Sequence, residues 1–184
     1  MEVATKPAVL ALLIAGALTL EPASPDQRGA FAGALLLSLS GDVALLAPGR
    51  RWFAFGLGAF LLAHGTYVIG LLLEPDAGGS PLVGLVLAGA GAALVGVTIV
   101  RATRRHHGRA EALAVAAYVV AISATVVAAT ASGDVLAAAG AAALYASDGI
   151  LGWNRFVHPI PAGRLLTRIP YHIGQALMVV SLLA

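Results

Sequence analysis

Two aspartates inside long apolar runs are the residues most able to do chemistry in this sequence. Asp42 follows Ser-Leu-Ser-Gly, and Asp148 follows Tyr-Ala-Ser. An Asp at the centre of a membrane helix costs about 2.5 to 3.5 kcal/mol on insertion scales, so a functional role is its default interpretation. Counting back from Arg50 and Arg155 at about 1.5 Å per residue puts both roughly 11 Å below one face. We expect the two carboxyl groups to act together.

Further polar side chains are expected near this depth: Gln175 at the same level, Tyr171 and His172 one turn shallower, and His64 and Tyr67 deeper, near the middle of the bilayer. Hydroxyl, imidazole and amide groups of this kind can orient a water molecule or a polar substrate. In a membrane they can equally serve as hydrogen-bonded packing residues between helices, and that alternative also applies to each Asp alone. The candidates are His64, Tyr67, Tyr171, His172 and Gln175, with Tyr118 as a further possibility.

Seven apolar runs must position these residues. The chain has 184 residues, of which 59% are hydrophobic and 11% charged, whereas a soluble domain carries roughly 25% charged residues. Each run is near the ~20 residues that one membrane crossing needs. The sequence predicts an all-α, polytopic integral membrane bundle of seven transmembrane helices in a single domain, residues 1–184. The predicted spans are 7–21, 29–47, 52–73, 81–100, 110–131, 134–154 and 167–184.

The basic residues indicate the orientation of these spans, because cytoplasmic loops collect Lys and Arg. One side holds Lys6, Arg50, Arg51, Arg101, Arg104, Arg105, Arg109, Arg155, Arg164 and Arg168. The other side holds Arg28 together with Glu21, Asp26, Glu74, Asp76 and Asp134. The pattern predicts a cytoplasmic N-terminus and an external C-terminus, with Trp52 and Trp153 as interfacial anchors. A cleaved signal peptide over residues 1–21 is the alternative interpretation of the first run.

Composition excludes several classes of function. The chain has no Cys, which excludes disulfides, thiolate nucleophiles, iron–sulfur clusters and Cys-ligated zinc. The basic residues lie in short loops, which suits anionic lipid head groups rather than nucleic acid. One Lys against ten Arg is typical of a high-GC bacterium. We therefore expect a multi-pass protein of a bacterial cell membrane, in contact with membrane lipids. The sequence carries no indication of oligomeric state.

Four motifs carry a resemblance to a known family. They are Ser-x-x-Gly-Asp at Ser38, Gly41 and Asp42; Gly-x3-Phe-x3-His-x2-Tyr at Gly56, Phe60, His64 and Tyr67; Ser-Asp with a later Phe at Ser147, Asp148 and Phe156; and Tyr-x3-Gln at Tyr171 and Gln175. In their order and spacing the sequence resembles the YhhN family, the membrane-embedded lysoplasmalogenases, along nearly the whole chain. The resemblance implies hydrolysis of the vinyl-ether bond of lysoplasmalogens to a fatty aldehyde and a glycerophospho-base, with the two motif Asp residues as the essential pair.

The chemistry of a vinyl ether explains why two carboxyl groups would be needed. Its slow step is protonation of the β-carbon, which creates an oxocarbenium ion that water then captures. Paired carboxyl groups in different environments can supply the proton and orient the water, as they do around the similar cation of glycoside hydrolysis. Our hypothesis is that Asp42 and Asp148 are the acid and the base, unassigned between them, and that no metal or organic cofactor is needed. The substrate would be a lysophospholipid whose phosphate lies near Arg168 or Arg155.

Three other classes of function remain open from the sequence. A small-solute or proton transporter also uses intramembrane Asp and His side chains. A metal-dependent intramembrane hydrolase would need His64, His172 and an Asp to converge on zinc. A receptor or structural partner of other membrane proteins would leave the paired Asp residues without a chemical role.

Overall fold

The computed structural model describes residues 5–21, 24–73 and 78–183, and over these residues all regular structure is helical. The predicted all-α fold is thus confirmed, and each predicted apolar run overlaps one helix. The helices are α1 (Thr5–Thr19), α2 (Pro25–Ala44), α3 (Arg50–Leu72), α4 (Pro81–His107), α5 (Arg109–Ala131), α6 (Val135–Phe156) and α7 (Gly163–Val180), and α7 continues into a 3-10 turn at Ser181–Leu183.

Two of these helices begin at polar residues that cap them, Ser24 before α2 and Asp134 before α6. The Ser24 side chain accepts a hydrogen bond from the Gln27 N–H at 3.3 Å, and Pro25 follows at the first helical position. Asp134 caps α6 by accepting from the N–H groups of Leu136 and Ala137. Such caps satisfy amide donors that a helix start leaves unpaired.

The connection between α4 and α5 is a single residue, Gly108. Its φ of 92° lies in a region that side chains with a Cβ rarely adopt. The chain can therefore reverse direction within one residue, which places the end of α4 beside the start of α5.

Four helices, α3 to α6, are long and apolar enough to cross a membrane within the part of the chain that the structure describes. Helix α4 runs 27 residues and contains a π-helical turn at Ala92–Gly96. It continues seven residues beyond its predicted end at 100, because charged residues such as Arg104 remain helical where the chain leaves the apolar region. Helix α7 begins at Gly163, four residues before the predicted start of the last span at 167.

Small residues bring α6 and α7 into close contact. A methyl group at Gly174 would lie 2.9 Å from the carbonyl oxygen of Gly140 and 2.8 Å from Cγ of Leu144. Helices α2 and α3 pack as a second close pair. The core between these pairs holds fully buried apolar side chains, including Phe31, Leu35, Leu144 and Met178.

One end of the bundle collects the basic residues. Arg50 at the start of α3 pairs with Glu111 at the start of α5, with 3.4 Å between Nε and Oε2. His107 at the end of α4 lies 3.7 Å from the same carboxylate. We call this the basic end. Of the charges used for the orientation, the Lys6 side chain, Glu74 and Asp76 lie outside the described residues.

Candidate active site

Asp42 lies in the last turn of α2 and is 3% exposed. The hydroxyl of Tyr171, midway along α7, donates to Asp42 Oδ2 at 2.8 Å. The pair therefore joins the second helix to the seventh across 129 residues of sequence. A buried carboxyl oxygen that accepts from a tyrosine is held in one orientation, which is what an acid or base needs.

Asp148 on α6 is the centre of a second polar group. The Tyr118 hydroxyl on α5 donates to Asp148 Oδ2 at 2.5 Å. His64 Nε2 on α3 lies 3.4 Å from the same oxygen and 3.3 Å from the Tyr118 hydroxyl. On its other side, His64 Nδ1 is 3.1 Å from the hydroxyl of Thr125. Three helices thus fix the position of this carboxylate and of the imidazole beside it.

A third group consists of neutral side chains. The Tyr67 hydroxyl on α3 donates to Gln175 Oε1 on α7 at 2.5 Å, and Gln175 Nε2 donates to Ser38 Oγ on α2 at 3.3 Å. Each of the three is at most 2% exposed. Because a buried polar group without a partner costs about 1–3 kcal/mol, this chain of bonds specifies how α2, α3 and α7 dock.

Helix geometry joins the three groups into one site. Gln175 lies one turn after Tyr171 on α7, and Ser38 lies one turn before Asp42 on α2. Tyr67 of the third group lies three residues after His64 of the second group on α3. The remaining predicted residue, His172, has its ring 5.4 Å from that of Tyr171. All seven sequence-predicted residues therefore lie in or beside this polar centre: Asp42, His64, Tyr67, Asp148, Tyr171, His172 and Gln175.

The sequence analysis missed two features of this centre. Thr125 was not a candidate, although it lies seven residues after Tyr118 and hence on the same face of α5. Tyr118 was only a further possibility, yet it makes the shortest contact to Asp148. The structure also places the carboxylates differently relative to their helix ends, because Asp42 is two residues from the end of α2 and Asp148 is eight from the end of α6.

An apolar cavity of about 450 Å³ opens beside the second polar group. It lies between α3, α4, α5 and α6, and Asp148 and Tyr118 contribute polar atoms to its wall. The ring of Phe60 also lines it and meets the Tyr171 ring edge-on, with 6.3 Å between centroids. Asp148 therefore faces the cavity, whereas Asp42 and Tyr171 lie on the far side of Phe60.

The residues that the structure describes contain no group of three or more His, Asp or Glu side chains placed to hold a metal ion. Within the polar centre, His64 and Asp148 are the potential ligands nearest to one another, and Tyr118 hydrogen-bonds to both.

Replacing Tyr67 with Phe tests the neutral group. The change keeps the edge-on ring contact with Phe31 but leaves Gln175 Oε1 without its donor, so we expect a loss of about 1–3 kcal/mol of stability. The melting temperature in detergent measures it. The control is Tyr145→Phe, which is expected to melt close to the unmodified chain. The Ala88 carbonyl that Tyr145 contacts also accepts a helical N–H, so it keeps a partner when the hydroxyl is removed. Equal melting temperatures for Tyr67→Phe and the unmodified chain would contradict the prediction.

The fold and the site together define a class: a helical membrane protein with two carboxyl–tyrosine pairs, one buried and one half-buried at the wall of an apolar cavity. Comparison with known sequences then gives the family. The chain belongs to the YhhN family, whose sequence profile matches residues 1–182.

Curated relatives share much of the sequence. The lysoplasmalogenases of Mycobacterium bovis and Mycobacterium tuberculosis are each 36% identical over 154 residues, which is 82% of this chain and 58% of theirs. Human lysoplasmalogenase TMEM86B is 31% identical over 172 residues, which is 94% of this chain and 71% of the human protein. The match thus spans less than two thirds of the mycobacterial relatives. No solved structure matches the chain.

Proposed function

We propose that this protein is an intramembrane hydrolase that cleaves the vinyl-ether bond of lysoplasmalogen-type lysophospholipids. The products are a fatty aldehyde and a glycerophospho-base. The observation that carries the proposal is the position of Asp148, which is fixed by Tyr118 at the wall of an apolar cavity. The mycobacterial and human relatives named lysoplasmalogenase support it.

The reaction adds one water molecule across the bond. One carboxyl group gives its proton to the β-carbon, and the positive charge that forms is shared between the α-carbon and the ether oxygen. The other carboxylate orients a water molecule and accepts its proton as the water oxygen bonds to the α-carbon. When the hemiacetal collapses to the aldehyde, this second carboxyl group protonates the departing glycerol oxygen. The first carboxylate takes the proton of the hemiacetal hydroxyl, so both groups return to their starting protonation states. Asp42 and Asp148 are the proposed pair, and each would have to change protonation state during the cycle.

The surrounding polar groups have distinct proposed roles. Tyr118 and Tyr171 hold the two carboxyl groups in place. His64, Tyr67, Tyr171, His172 and Gln175 are proposed to bind the water or the polar part of the substrate. Preorganised groups of this kind act strongly because the site excludes bulk water.

For the membrane arrangement, we propose that all seven helices cross the lipid, with the N-terminus cytoplasmic and the C-terminus outside, in the cell membrane of a bacterium. The contacts of Glu111 with Arg50 and His107 support this, because they gather one end of three helices into the basic end. Positive residues favour the cytoplasmic side. This arrangement would place the candidate site nearer to the cytoplasmic leaflet.

The test of the proposed function is aldehyde release by the purified protein in detergent. An alkenyl lysophospholipid is expected to release aldehyde, and the matched acyl lysophospholipid is expected to remain intact. If folded protein releases no aldehyde from the alkenyl lipid, the hydrolase proposal fails. Solute-driven or proton flux in liposomes, without any product, would instead indicate a transporter.

A further inference from the structure

Arg155 occupies a distinctive place in the last turn of α6. Its guanidinium carbon lies 3.7 Å from the centre of the Phe53 ring, and it lines the same cavity as Asp148. Stacking on an aromatic face leaves the edge of a guanidinium, with its N–H groups, available to an anion. Among the residues that the structure describes, no carboxylate lies within ion-pair distance of Arg155, whereas Arg50 at the same end is paired with Glu111.

The spacing of Arg155 and Asp148 is fixed by the helix that carries both. Seven residues of continuous α-helix separate them, so they face the same side and their backbones are roughly 10 Å apart along the axis. Asp148 is near the end of the cavity that lies away from the basic end, where Tyr145 is the first α6 residue in the wall. Arg155 is near the opposite end, with Phe53 and Phe156.

A phosphate and a vinyl ether in one lysophospholipid are separated by a similar length. Seven covalent bonds lead from the phosphorus atom through the glycerol to the β-carbon, which is about 8 Å at ~1.2 Å advance per bond in an extended chain. The intervening glycerol ether carries no charge, and its one free hydroxyl needs a single hydrogen-bond partner. The phosphate carries charge and needs a charged partner at an apolar cavity.

We propose that Arg155 is the phosphate-binding residue of the site and that α6 sets the distance from this phosphate to the reacting bond. The inference rests on the proposed function for the identity of the lipid. It adds a binding requirement: the site prefers an ether lipid that carries a phosphodiester at the glycerol over the same ether without phosphate. Arg168, the other candidate for the phosphate, does not line the cavity.

Binding of lipids that cannot react tests the proposal without requiring turnover. The probes are a saturated alkyl-ether lysophospholipid and the corresponding alkyl glycerol, which lacks phosphate. Trp153 lines the cavity, so its fluorescence reports occupancy, and Trp52 is the only other Trp. Arg155→Gln is expected to weaken binding of the phospholipid about 10-fold or more and to leave alkyl glycerol binding within about twofold. Arg155→Lys should recover part of the loss.

Matched measurements separate the possible failures. Arg51→Gln, at the same end but not on the cavity wall, is expected to bind both probes as the unmodified protein does. If Arg155→Gln binds the phospholipid normally, or if it loses both probes equally, Arg155 does not bind the phosphate and the inference is overturned. Aldehyde release from the reactive alkenyl lipid is measured in parallel. Its absence in the unmodified protein defeats the proposed hydrolase activity, while the binding difference still decides the role of Arg155.

Discussion

Replacing Asp148 with Asn is expected to lower turnover of an alkenyl lysophospholipid by about 10²- to 10⁴-fold, the range for loss of a general acid or base. The Asn side chain has nearly the same shape, and its carbonyl oxygen can still accept from Tyr118, so the packing of α5 on α6 is retained. It cannot give or take the proton that the reaction moves. The initial rate of aldehyde release, measured beside the melting temperature, checks the prediction.

Asp42→Asn is expected to give a loss in the same range, because the proposed reaction needs both carboxyl groups. The matched control is Asp134→Asn, an identical chemical change on α6 outside the site. Asn is as good as Asp at a helix N-cap, so this variant should keep its activity and stability. Well-folded Asp148→Asn protein that turns over within tenfold of the unmodified protein would rule out a required carboxyl group at this position.

The second large effect is expected from Gly174→Ala. The added methyl group would lie 2.9 Å from the Gly140 carbonyl oxygen and 2.8 Å from Leu144 Cγ. Backbone atoms cannot move aside as a side chain does, so α6 and α7 must separate. Overpacking of this kind costs about 1–3 kcal/mol, and the shift displaces Tyr171 and Gln175, which lie on either side of Gly174. We expect a lower melting temperature together with a loss of most activity.

Gly65→Ala is the matched control for this change. A methyl group at Gly65 on α3 would meet no heavy atom within 4 Å. Alanine in a helix is favoured over glycine by roughly 0.5–1 kcal/mol, so the melting temperature should stay equal or rise. The close contact of α6 with α7 would be unimportant if both alanine variants melted at the same temperature as the unmodified chain.

The number and order of the helices could be predicted because hydrophobic runs and their breakers are local properties of the sequence. The ends were less predictable. Hydropathy marks where a chain enters the apolar region, whereas a helix ends where its backbone hydrogen bonds end. Helix α4 therefore continues through Arg101 to His107, and α2 ends at Ala44 although apolar residues continue to 47.

Most of the residues that converge in the polar centre could be chosen from the sequence, but their pairing could not be predicted. An Asp or Gln in an apolar run is conspicuous on composition alone, so all seven candidates could be chosen without a structure. Which tyrosine contacts which carboxylate depends on the rotation of each helix about its axis. That rotation follows from packing between segments that are distant in the sequence, such as Gly140 against Gly174. It therefore cannot be predicted from a single sequence. The depth estimate for Asp42 assumed continuous helix as far as Arg50, whereas residues 45–49 are not helical.

The contact between Asp42 and Tyr171 has a consequence for biosynthesis. The carboxylate is made early, on the second helix, while the tyrosine that orients it and the glutamine of the neutral group arrive only with the seventh. A chain translated only as far as the sixth helix consequently lacks the tyrosine that holds Asp42. The proposed hydrolysis would therefore begin only after the seventh helix has been made and has packed against the second.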